Sequence, residues 1–149
     1  MFGSFLRTLP EITLFHSKSS PTSVKALALL QSALSNPYPP HTSKGPLKFT
    51  LNVAEHPPTA DQVRTILPYI TQSDSPSVLL SSHPSAPSGE DRPTTPEGVV
   101  DVATRTPNAL KWPIVVDWNS GRAAAGNLDG VVEMLEHLRK VRDGEVKES

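Results

Sequence analysis

Apolar positions along the chain follow two rhythms, one of two residues and one of three to four, separated by stretches rich in proline and serine. The cleanest alternation sets Leu47, Phe49, Leu51 and Val53 against Lys48, Thr50 and Asn52, which predicts a strand with one buried face. Two shorter runs, Ile12 to Phe15 after Pro10 and Ile114 to Val116, are rich in strand-forming residues and predict buried strands. The turn formers Asp117 to Arg122 then separate the second of these from Ala123 to Ala125, which predicts an antiparallel hairpin.

Helical spacing occurs at Val24, Leu27, Leu30 and Leu34, with Ala26, Leu29 and Ala33 beside them. Ser20 is placed to cap this helix and Pro21 to open it, and the prolines at 37, 39 and 40 end it because they lack a donor. Thr59 with Gln62 three residues later forms a capping box ahead of Val63, Ile66, Leu67 and Ile70, a second helix. Val99, Val100, Val102 and Ala103 predict a short third helix. Asn127 caps a last one, with Asp129 near its positive end and Val131, Val132, Leu135, Leu138 and Val141 on one face.

The Ser/Pro-rich segment from about 72 to 98, relieved only by Val78, Leu79 and Leu80, is expected to be a mobile insertion, since it offers little apolar surface against its ordering entropy. A frayed tail is expected from about 143. The elements read βαβα, insertion, αββα. Two parallel strands joined by a helix precede a terminal hairpin, which gives an α/β class: a three-layer, thioredoxin-like fold with a central mixed sheet flanked by helices. At 149 residues one such domain, 1–149, accounts for the chain.

Composition narrows the functional classes. Apolar residues are 36% of the chain, prolines number 16 and the formal net charge is −1, so no broad basic field gathers nucleic acid or anionic lipid headgroups. No apolar run reaches the roughly 20 residues that span a bilayer. The first residues contain Arg7 and no acid before Glu11, a feature in line with a very short or uncleaved organellar signal, whereas a secretory leader is not expected. The chain has no cysteine, which removes disulfides, thiolate metal sites and every thiol nucleophile. The five histidines, at 16, 41, 56, 83 and 137, show no i, i+4 pairing, so no metal site is expected.

Residues Ile12 to Ser23 resemble the first strand and loop of arsenate-reductase-like thioredoxin relatives, with Ser20 in the place of their cysteine. Trp112 to Val116 followed by Gly121 to Gly126 is similar to the same relatives' proline, strand, turn, strand and glycine segment. More closely, Thr8 to Phe15, Pro57 to Gln62 and Pro113 to Trp118 resemble a fungal mitochondrial family of redox proteins with a thioredoxin-like fold. That resemblance implies a mitochondrial oxidoreductase, and it implies that Pro113 is the cis proline of the fold, lying beside the Ser20 loop.

Four residues are therefore candidates for a ligand groove: Ser19, Ser20, Trp112 and Pro113. Ser20 at a helix N-terminus is placed to stabilise an anion, including the thiolate of glutathione, and is equally placed to be no more than a cap. Glutathione or an extended peptide is the expected occupant, the peptide by strand-like pairing to backbone near Pro113. Three readings stay open: an oxidoreductase by relationship, a non-catalytic binding module for glutathione or a peptide, and a glutathione transferase that uses Ser20. No cofactor is expected in any of them. Asp117 and Trp118 read as a turn former and a packed aromatic rather than as a site.

Overall fold

The computed structural model describes residues 9–40, 42–70, 76–81 and 93–146. Strand β1 is Glu11–Phe15 and is followed by helix α1, Pro21–Ser35. Next come β2, Thr50–Ala54, and α2, Ala60–Ile70, and then a 3-10 turn at Pro76–Leu79. Helix α3 is Pro96–Arg105, with a second 3-10 turn at Pro107–Ala109 behind it. The hairpin of β3, Ile114–Asp117, and β4, Arg122–Ala125, leads into α4, Asp129–Arg142.

The strands lie in the order β2-β1-β3-β4. β1 pairs with β2 in parallel, with Leu14 opposite Val53. β3 is antiparallel to both of its neighbours, with Thr13 opposite Val116 and Val115 opposite Ala124. The sheet is therefore mixed, as expected.

Alternation along the two central strands divides the core between the sheet's faces. Ile12, Leu14 and Val115 pack with α1 and α4 through Leu30, Met134 and Leu135. Phe15, Ile114 and Val116 pack on the other side with α2 and α3 through Val63, Ile66 and Val99. Helix α4 lies close against β4 because position 130 is glycine: a Cβ there would come within 2.3 Å of the Ala124 Cβ.

Local capping chemistry accounts for the helix starts. Ser20 accepts from the Ser23 amide at 3.2 Å ahead of Pro21. Thr59 and Gln62 exchange bonds of 2.9 and 3.2 Å, and Thr95 accepts from Gly98 at 3.1 Å. Asn127 accepts from Gly130 at 2.7 Å, although the residue flanking α4 is Leu128.

The expected mobile insertion contributes to the core at one point and overlaps a helix at its end. Leu79 and Leu80 are buried in the α2/α3 side of the core, and Leu80 bridges to Leu110. The Lys111 amide donates to the Leu79 carbonyl at 2.8 Å and the Ser81 amide to Ala109 at 2.7 Å. Two adjacent leucines with an edge partner thus form a short piece of core inside the polar segment, and residues 96–98 already belong to α3. Positions 72–75 and 82–92 of the insertion lie outside the described residues.

In the expected tail, as far as 146, Arg139 meets Asp143 at 3.1 Å and Glu145 at 2.6 Å. Two helical faces differ from expectation. In α1 the buried positions are Ser23, Ala26, Leu30 and Ala33, while Val24 is exposed. In α4 Val132 is exposed and Met134 is buried instead.

Candidate functional site

The β1–α1 loop and the segment leading into β3 enclose a pocket of about 430 Å³. Ser17, Ser19 and Ser20 form one wall, Leu110, Lys111 and Trp112 form the facing one, and Gly126 lies at the edge. Three of the four residues expected at a groove, Ser19, Ser20 and Trp112, are therefore brought together. Pro113 is buried and is not among the lining residues.

The Trp112–Pro113 bond is cis. The backbone expected to receive a strand-like ligand there is partly taken: the Pro113 carbonyl accepts the Gly126 amide at 2.8 Å, and the Trp112 amide donates to Leu110 at 3.1 Å. Gly126 holds a φ of +76° to make that contact, and a Cβ on it would stand 3.2 Å from the Lys111 Cβ. The Trp112 indole is fixed from behind, Nε1 donating to the Pro107 carbonyl at 2.7 Å.

Across the pocket, the serine loop is a closed network. Ser17 and Ser19 share a hydroxyl contact of 3.0 Å. Ser20 caps α1, and no base is hydrogen-bonded to its hydroxyl among the described residues. A capping hydroxyl without a base has no means of becoming an alkoxide, so Ser20 is not an activated nucleophile.

Sequence reasoning missed the polar centre of the loop. Ser23 Oγ accepts the Ser17 amide at 3.0 Å and lies 2.6 Å from His16 Nδ1, the imidazole tautomer deciding which of the two donates. A serine beside a histidine is the pairing of hydroxyl nucleophiles. Here Ser23 is fully buried and His16 nearly so, so the pair anchors the loop to the helix rather than meeting a substrate. The available signal was a histidine directly after a buried strand, seven residues ahead of a serine in the first helical turn.

Lys111 supplies the pocket's cation and makes no ion pair among the described residues. With the N-terminus of α1 opposite, the pocket suits an anionic group such as a carboxylate. Among the described residues no three histidines or carboxylates gather as metal ligands, and no helix is long and apolar enough to cross a membrane. His41 and His83 lie outside the described residues.

The family model for proteins of unknown function designated DUF1687 matches residues 2–126. The chain belongs to the DUF1687 family. No curated protein matches its sequence. Among solved structures it is similar to a protein assigned as an arsenate reductase from Yersinia pestis, with 21% identity, a TM-score of 0.53, and coverage of 84% of this chain and 98% of the other. It is also similar to an arsenate reductase from Vibrio cholerae, with 13% identity, a TM-score of 0.52, and coverage of 91% and 99%. At these identities the likeness shows the fold, which is thioredoxin-like with a mixed four-stranded sheet flanked by helices.

Proposed function

We propose that this chain is a redox-related protein of the mitochondrion that acts by binding rather than by thiol catalysis. Its ligand is glutathione, held in the pocket between Ser17–Ser20 and Lys111–Trp112. The observation that carries the reading is an open pocket of about 430 Å³ at the N-terminus of α1, faced by Lys111, which has no ion pair among the described residues, in a chain without a single sulfhydryl.

Lys111 takes one glutathione carboxylate, the serine hydroxyls and the first turn of α1 favour further negative charge, and the Trp112 ring provides a flat apolar wall. The paired backbone at Pro113 and Trp112 leaves few main-chain groups for a long strand-like peptide, which favours the small tripeptide over an extended partner. The transferase reading needs a second pocket for an electrophile beside the thiol, which no lining residue here marks.

Calorimetry with reduced glutathione and S-methylglutathione tests this. Both are expected to bind within about threefold of each other, because no thiol chemistry is used, and Lys111→Gln is expected to weaken both about tenfold, the equivalent of one lost charge-assisted contact. Disulfide-reductase or conjugating turnover by the purified chain contradicts the binding reading. A fluorescent fusion that stays in the cytosol contradicts the mitochondrial one.

A further inference from the structure

At the opposite end of the sheet the β3–β4 turn carries polar groups that the fold leaves open. Asp117 is completely buried. Its Oδ1 accepts the amides of Asn119 and Ser120 at 3.1 and 3.2 Å, which shapes the turn. Its Oδ2 is buried and has no hydrogen-bond partner among the described residues, and the same holds for Ser120 Oγ.

Both residues line a cavity of about 110 Å³, walled on its apolar side by Pro10, Leu138 and Val141, with His137 as the remaining titratable group. A buried carboxylate oxygen without a donor is costly, and native structures fill such a vacancy with a donor from protein, water or ligand. His137 does not fill it. Burial, followed by the Arg122 charge, holds its imidazole below the ordinary range, so at neutral pH it is an uncharged ring that offers a nitrogen acceptor.

We propose that this cavity is a binding site for a primary ammonium on a short aliphatic stem. The three N–H donors of such a group are taken up by Asp117 Oδ2, Ser120 Oγ and a His137 ring nitrogen, the two oxygens turning from their buried positions towards the cavity, and the stem lies along Pro10, Leu138 and Val141. Roughly 30 Å³ per water-sized group gives the cavity room for three or four heavy atoms. The exposed Arg122 and Lys140 nearby limit the ligand to a single positive charge. The ammonium can come from a free alkylamine or from a lysine of a partner peptide.

The test titrates propylammonium chloride, Nα-acetyl-lysine amide and potassium chloride, at matched ionic strength, into the isotope-labelled full chain, with amide shifts as the readout. The expected result is saturable shifts confined to 117–121 and 137–141 with one or both amines and none with potassium. Stronger binding of propylammonium identifies a free amine, and stronger binding of the lysine derivative identifies a peptide. Asp117→Asn keeps the Oδ1 acceptor of the turn and is expected to weaken binding at least tenfold. Val141→Phe, at a partly exposed wall, is expected to abolish binding in a folded chain. Shifts that fail to saturate, equal shifts with potassium, or amine binding unchanged in both variants overturn the proposal.

Discussion

The two loops at opposite ends of the central strands dispose of their polar side chains in opposite ways. Where β1 runs into α1, Ser17, Ser19, Ser20 and Ser23 satisfy one another, the helix start and His16. Where β3 turns into β4, Asp117 satisfies two amides with one oxygen and leaves the other without a partner among the described residues. The hydroxyls of the first loop are engaged in shaping it and the helix start, and the open charge at its pocket comes from Lys111 across the way. Location in a fold therefore does not decide where unsatisfied chemistry sits. The hydrogen-bond inventory of each loop decides it.

Substitutions can break this contrast, and the largest effect is expected at Ser23. Ser23→Ala strips a part-buried amide and a buried imidazole nitrogen of one shared partner, for a loss of about 2–4 kcal/mol in urea unfolding. Ser20→Ala removes only a cap, for a loss of about 1 kcal/mol. Equal losses at the two positions contradict a network centred on Ser23.

At the other end Asp117→Ala leaves two turn amides without their acceptor, for a loss of about 1–3 kcal/mol. Asp117→Asn retains that acceptor and is expected to cost less than half as much by the same measurement. Equal losses for asparagine and alanine, which both remove the carboxylate, mean that the buried acid itself, rather than the turn bonds, holds this end together.

The smallest effect is a pH dependence centred on His137. Burial first and the Arg122 charge second lower its pKa from the ordinary 6.5, with Asp117 opposing them and Lys140 adding to them. The folded chain then binds that proton less readily than the unfolded chain. The stability it contributes is whole above about pH 6.5 and is lost as the pH falls from there towards the folded value. Urea midpoints should decline over that window in the native chain and more shallowly in His137→Gln. Parallel declines place the titration elsewhere.

Much of the architecture was legible because its signals are local. Thr59 with Gln62, Ser20 with Pro21, and Asn127 announce helix starts through bonds spanning three residues, and the structure contains each of those bonds. The α1 face was misjudged because the helix is apolar nearly all round, at Val24, Ala26, Leu27, Ala28, Leu29 and Leu30, so periodicity cannot fix its phase. Leu79 and Leu80 were lost in a polar segment because their partners, Lys111 and Leu110, lie about thirty residues away. The Asp117 turn was read correctly as a turn, but its second oxygen could not be assigned from sequence, since that depends on which groups α4 brings against it.

The most direct test of the central claim is an amide-shift map of the full labelled chain titrated with reduced glutathione. The account predicts saturable changes at Ser17–Ser20 and Lys111–Trp112, diminished in Lys111→Gln and absent from the turn at 117–120. An unchanged spectrum, or changes that persist undiminished without the Lys111 charge, would contradict it.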